Sequence, residues 1–194
     1  MVVYLFVVIQ IYNKFSGFLL FFTIIYNLSL EMSDEPFNIN LMEKTLVILK
    51  PCTVQRGLIG EIVNRFEKKG LRLAGMKMVW LTDEILSEHY AHLKEKPFFQ
   101  RIKDAMSVCP VIVCCWEGVD AIHVVRTLAG ATNGRNAAPG TIRGDYSMSV
   151  QENIVHASDS PETAEIELKR FFKDDEIFDY ELKNLLSLYA NDEF

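Results

Sequence analysis

From Glu43 the chain alternates and then runs apolar through Lys50 (E-K-T-L-V-I-L-K), the pattern of a largely buried strand ended by Pro51. Leu58, Ile59, Ile62, Val63 and Phe66 follow at helical spacing. Lys68 and Lys69 fall in the last turn of that helix, and Gly70 reads as its C-cap. Alternation returns from Leu71 to Leu81, which predicts a second strand. Thr82 is placed to cap a helix with Asp83 and Glu84 in its first turn and Ile85, Leu86, Tyr90 and Leu93 as its apolar stripe. Pro97 opens a further helix with Phe98, Phe99, Ile102, Ala105 and Met106 along one side. Pro110 to Glu117 reads as the third strand and Val119 to Leu128 as the next helix. Gly130 to Asp145 holds too much Gly, Pro and Asn for regular structure, and a loop of that length inside a compact domain is more often functional than not. Tyr146 to His156 carries the fourth strand, and Pro161 to Phe172 the final clear helix. The order β-α-β-(α-α)-β-α-loop-β-α predicts an α+β, ferredoxin-like sandwich, with helices packed on a four-stranded antiparallel sheet.

The first thirty residues do not share this patterning. They contain one charge, Lys14, and hold five of the thirteen Phe and three of the seven Tyr. Val2–Ile11 and Phe18–Leu30 are each shorter than the roughly 20 apolar residues of a spanning helix, and no basic n-region or small-residue cleavage site marks a signal peptide. Residues 1–41 are therefore read as a non-functional extension or a mis-assigned start. Met32 and Met42 are plausible starts, and a membrane anchor is the alternative. The domain proper is placed at 42–194. The full-chain net charge of −6 argues against nucleic acid as a partner. Four cysteines occur without a C-x-x-C pair. Cys114 and Cys115 sit in an apolar strand on opposite faces, which suggests buried thiols in a reducing, cytoplasmic compartment rather than disulfides or a zinc site.

The residue with the clearest chemical potential is His156. Ile154 and Val155 before it favour a strand. After it, Asp159 or Ser160 can cap a helix, Pro161 suits the first turn and Glu162 suits the dipole. A histidine held at a strand-to-helix junction, where backbone N–H groups favour anions, is a candidate phosphate acceptor. No G-x-x-x-x-G-K-[ST], G-x-G-x-x-G or Ser nucleophile elbow occurs. Lys50, Arg126 and Arg143 are instead spread over element ends, a set that makes a polyphosphate clamp if the fold converges them. His89 and His92, three apart on a helix, lack a third metal ligand nearby, and His123 reads as exposed and inert.

The run N-I-V-H-A-S-D-S resembles the N-x-x-H-G/A-S-D signature of nucleoside diphosphate kinases. The resemblance extends from Glu43 to about Tyr180 through T-L-V-I-L-K-P, V-Q-R-G-L-I-G-E-I, K-P-F-F, W-E-G and A-P-G-T-I-R-G-D-Y. It implies a ferredoxin-like enzyme that moves the γ-phosphate of an NTP, ATP chiefly, to an NDP through a phosphohistidine by a ping-pong route. Little base specificity, Mg²⁺ held mainly by the nucleotide phosphates, and a tetrameric or hexameric homo-oligomer are implied with it. Residue by residue, it makes His156 the phosphorylated histidine, Glu167 its hydrogen-bonding carboxylate and Ser158 the support of that carboxylate. Lys50, Tyr90, Arg126, Thr132 and Arg143 become phosphate contacts, Asn153 with Lys50 the sugar-hydroxyl contacts, and Phe98 the base-stacking aromatic. Without the resemblance, Phe98 reads as a core position on a helix face. Two departures stand out: Cys52-Thr53 where the family commonly has D-G after K-P, and Gly134 where it has proline after T-N. Two rival readings remain at this stage: a catalytically silent relative and, more weakly, a nucleic-acid-binding sheet.

Overall fold

The computed structural model describes residues 42–190 and 193, and the reading of residues 1–41 as an extension lies outside them. Four strands, β1 (Met42–Leu49), β2 (Arg72–Val79), β3 (Val111–Val119) and β4 (Val155–Ala157), form one sheet in the order β2-β3-β1-β4. All three pairings are antiparallel, with Leu46 opposite Cys115 and Ile48 opposite both Val113 and His156. Because side chains alternate along a strand, the near-continuous apolar runs of β1 and β3 feed two cores. Val47, Leu49, Ile112, Cys114 and Trp116 face one way and pack with Ile62, Phe66 and Val125. Leu46, Ile48, Val113 and Cys115 face the other and pack with Leu86, Met106, Leu168 and Phe171. The two adjacent thiols are buried and free, as expected, and burial raises both to about 12. Among the described residues no helix is long and apolar enough to cross a membrane.

The helices are α1 (Pro51–Gln55), α2 (Ile59–Lys69), α3 (Asp83–His89), α4 (Phe99–Met106), α5 (Ala121–Ala129), α6 (Ile142–Tyr146), α7 (Pro161–Phe171) and α8 (Leu185–Leu188). Local chemistry sets their ends. Gly70 closes α2 in the left-handed region, at φ 102°, where a side chain would be strained. Thr82 caps α3 by accepting from the Ile85 N–H, and Ser160, with Pro161 at the first position, caps α7 by accepting from the Thr163 N–H.

The structure corrects three boundaries. Pro97 does not open α4: the chain turns through Lys94–Pro97, and Phe98 is the N-cap residue. The Gly130–Asp145 stretch is not wholly irregular. It contains a 3₁₀ turn at Gly134–Asn136 and the short α6, which Thr141 caps by accepting from the Gly144 N–H. The fourth strand does not run from Tyr146. Only Val155–Ala157 pairs, because Ile154 sits at φ 72° and turns the backbone out of the β region. Gly134 is explained by the same region: a Cβ there would lie 2.3 Å from the Ser147 carbonyl oxygen, and its N–H donates to Ser149 O at 3.1 Å. Proline has neither the room nor the donor for that position.

Candidate active site

His156 lies on β4, and Glu167 lies on α7 just beyond the strand-to-helix turn. The turn brings Glu167 Oε1 and Oε2 to 2.8 and 3.0 Å from His156 Nε2. Ser158 Oγ donates to Oε2 at 2.6 Å. Burial alone would raise the Glu167 pKa, but the hydrogen bonds and charge of His156, with Ser158, outweigh it and hold the carboxyl below its ordinary value. An ionised carboxylate only accepts, so Nε2 carries the proton. In the neutral form of the ring Nδ1 then holds the lone pair, and it makes no hydrogen bond among the described residues. The result is an imidazole aimed by one nitrogen and nucleophilic at the other.

The backbone before His156 is strained. Ile154, β-branched and fully buried, adopts φ 72°. Its carbonyl accepts from both Lys50 N–H and Thr53 Oγ1, and these two bonds from the end of β1 and the start of α1 hold the kink. The kink exposes the carbonyls on either side to Arg143. That guanidinium donates to Asn153 O at 3.1 Å, Gly130 O at 2.6 Å and Val155 O at 2.8 Å. Burial, then the charge of Arg126, push Arg143 down to about 10. Arg126 has no acidic partner among the described residues, and Arg143 bonds only to neutral carbonyls, so both charges remain available to an anion.

A pocket of about 280 Å³ opens beside this cluster, with Lys50, Tyr90, Phe98, Thr132 and Asn153 in its lining. Lys50 Nζ donates to Asn153 Oδ1 at 2.6 Å and Gln151 O at 3.2 Å, and Asn153 Nδ2 donates to Thr132 O at 3.0 Å. Phe98 is not a core residue of a helix face: it precedes α4 and is 37% exposed at the pocket. Its ring is available to stack on a planar group.

Burial, reinforced by Arg143, pushes the Lys50 ammonium down to about 8. In the unliganded protein Lys50 therefore loses its charge as pH rises through about 8. A bound phosphate would favour the charged form, so binding of a polyphosphate at Lys50 would take up a proton above that pH. We expect the Kd for a polyphosphate ligand to weaken about tenfold per pH unit above 8, with a buffer-dependent heat of proton uptake in calorimetry. A Kd flat to pH 9.5 would contradict this role for Lys50. The same shift makes folding stability rise with pH between about 8 and the unfolded value near 10.4, since the unfolded chain binds more protons there.

A model of the nucleoside diphosphate kinase family matches residues 43–177. The chain belongs to the nucleoside diphosphate kinase family. It is 99% identical over 153 residues to the nucleoside diphosphate kinase of Parabacteroides distasonis, which covers 79% of this chain and the whole of that protein. The halophilic nucleoside diphosphate kinase of Halobacterium salinarum, solved in complex with CDP, superposes with a TM-score of 0.74 at 44% identity, covering 76% of this chain and 98% of that one. The nucleoside-diphosphate kinase of Borrelia burgdorferi, solved as a transition-state mimic with vanadate and ADP, gives 0.71 at 36% identity over 76% and 96%. The ferredoxin-like fold is that of these kinases, and the protein is a phosphotransferase acting between nucleotides.

Within this nucleoside diphosphate kinase fold, the ten residues singled out in the sequence fall into three linked groups: the bonded trio His156, Glu167 and Ser158, the five pocket residues, and the arginines 126 and 143. Sequence reasoning weighed His89 only with His92, as a metal-ligand pair, and gave it no place beside His156. Its side chain is 1% exposed, its ring lies edge-on to that of His156 with centroids 4.5 Å apart, and Nδ1 is 3.5 Å from Glu167 Oε1. Burial first, and the charge of His156 next, lower its pKa to about 3, so His89 is neutral and the contact with Glu167 is no ion pair. The pair weighed in the sequence is split by the fold, since His92 is exposed.

His89, His156 and Glu167 place three ligand-type atoms within 4.8 Å of one another. Two of those atoms are nitrogens, Glu167 is already hydrogen-bonded, and the Arg170 guanidinium lies 3.4 Å from His89 Nδ1. Mg²⁺ prefers an octahedral set of oxygens, so this cluster does not suit it. The remaining charges around the pocket are mainly cationic, so a hard dication fits this site only on oxygens that a polyphosphate brings in.

Proposed function

We propose that His156 is the nucleophile through which this kinase moves a γ-phosphoryl group, and that the free Nδ1 is the attacking atom. The supporting observation is the Nε2–Glu167 hydrogen bond at 2.8 Å, which puts the ring's proton on the far nitrogen. The Nδ1 lone pair forms the N–P bond as the bond from γ-phosphorus to the β,γ-bridging oxygen breaks, and the NDP departs with that electron pair. A second NDP enters the same pocket. Its terminal β-oxygen attacks phosphorus, the N–P bond breaks, and Nδ1 recovers its lone pair while Nε2–H stays on Glu167.

Lys50, Tyr90, Arg126, Thr132 and Arg143 hold the phosphates, Asn153 with Lys50 meets the sugar hydroxyls, and Phe98 stacks on the base. Stacking contributes roughly 1–3 kcal/mol per base and accepts any of them, which accounts for low base specificity. ATP serves as the main donor. Mg²⁺ would be held by oxygens of the bound phosphates rather than by side chains, and would supply neutralisation of the charge that develops on them. Incubation with γ-labelled ATP tests the assignment. One acid-labile, base-stable phosphoryl group per chain is expected, discharged by any NDP, and a chain that stays unlabelled overturns it.

Residues 42–194 are proposed to carry the whole activity, in the cytoplasm, where four free thiols suit a reducing compartment. A homo-oligomer, tetramer or hexamer, is also proposed. Edge strand β2 turns Met76 and Met78 outward, with Trp80 just beyond it 61% exposed, and an uncovered apolar edge calls for a partner. Sedimentation is expected to give four or six copies, and a monomer at micromolar concentration would refute this.

A further inference from the structure

His89 is an expensive residue for its position. Its Nε2 is buried with no hydrogen-bond partner among the described residues, where a leucine or phenylalanine would fill the same space without an unmet donor. Packing therefore does not account for a histidine there. What Nδ1 touches does. It lies 3.4 Å from Arg170 Nη1 and 3.5 Å from Glu167 Oε1, between a guanidinium and the carboxylate that aims His156.

Arg170 and Glu167 are three residues apart on α7, so they share one face of the helix and are placed to pair directly. They do not. Arg170 Nε instead donates to Glu88 Oε1 at 2.8 Å, and Nη1 is directed to the imidazole. A guanidinium only donates, so Nδ1 is its acceptor and the ring's single proton sits on Nε2. We propose that His89 is a positioning residue that keeps Arg170 off Glu167, reserving both carboxylate oxygens for His156 and Ser158. This rests on the reading of His156 as nucleophile. With the ring removed, a bidentate arginine–carboxylate pair forms in a buried, weakly screened setting. His156 Nε2 then loses its acceptor, and the imidazole is no longer aimed.

The test compares single-turnover phosphorylation by ATP in the parent, H89A, R170L and H89A/R170L. H89A is expected to be slowed about 10–100-fold, the scale of a misaimed reacting group. Its nucleotide Kd should stay unchanged, since His89 is not in the pocket lining. R170L alone should stay within about threefold of the parent, and the double variant should return to the rate of R170L. A purely structural role predicts no such recovery. H89A at the parental rate, or a slow H89A that R170L does not rescue, overturns the proposal. If H89A does not fold, H89F and H89F/R170L make the same comparison: the phenylalanine fills the space but gives Arg170 no acceptor. Failure of the underlying reading looks different, since the parent itself would then gain no phosphoryl group at residue 156.

Discussion

A chain carrying His156→Gln is expected to fold as the parent does, to gain no phosphoryl group from γ-labelled ATP, and to lose at least about 10⁴-fold in kcat/KM. The size follows from what is removed. Glutamine can place an amide nitrogen where Nε2 was, so the buried Glu167 keeps a donor beside Ser158. Stability should therefore change by no more than about 1–2 kcal/mol. No atom of glutamine reaches phosphorus as a nucleophile, and both half-reactions pass through that atom. The phosphate clamp and the pocket survive, so NDP binding should remain within a few-fold of the parent. Label persisting in the variant, or turnover that continues without it, would remove His156 from the reaction and leave binding as the only role for this cluster.

The parts of this structure legible in the sequence are those set by neighbouring residues. Alternation in β1 and β3 marked the strands, and the split of Cys114 and Cys115 between two faces followed from it. Ser160 and Pro161 marked the start of α7, and the turn they make brings Glu167 under His156. Where long-range contacts decide the backbone, local pattern misled. Ile154 and Val155 both read as strand, yet Ile154 is kinked by bonds from Lys50 and Thr53, a hundred or so positions earlier in the chain. The pairing that should have run on from Tyr146 is lost there, and the carbonyls released by the kink become the seat of Arg143. Gly134 shows the same limit: the departure from the family's proline has its reason in Ser147 and Ser149, across the loop. The largest omission is the place of His89. In sequence its nearest chemical neighbour is His92, but helix α3 turns His89 inward against His156 and leaves His92 outside.

Arg143→Lys is expected to fail although it keeps the charge. The guanidinium joins three backbone segments at once, through carbonyls of Gly130, Asn153 and Val155, the last of these next to His156. A lysine ammonium has one nitrogen and satisfies one of them in that geometry. Asn153 O keeps the Val155 N–H at 2.8 Å, so one of the two remaining carbonyls, Gly130 O or Val155 O, goes unmet at about 1–3 kcal/mol, and the protein should melt about 3–10 °C lower. Activity should fall further than stability does. Because the partners of Arg143 are carbonyls and not carboxylates, its charge is uncompensated in the native site and faces whatever anion enters. The segment it pins also carries Asn153, which Lys50 holds at 2.6 Å, so one substitution loosens the pocket and the approach to His156 together. A loss of about 10²–10³-fold in kcat/KM follows, assayed at a temperature where the variant is folded. If Arg143→Lys melts with the parent and turns over normally, positive charge alone is sufficient at this position, and the three-carbonyl staple has no part in holding the nucleophile.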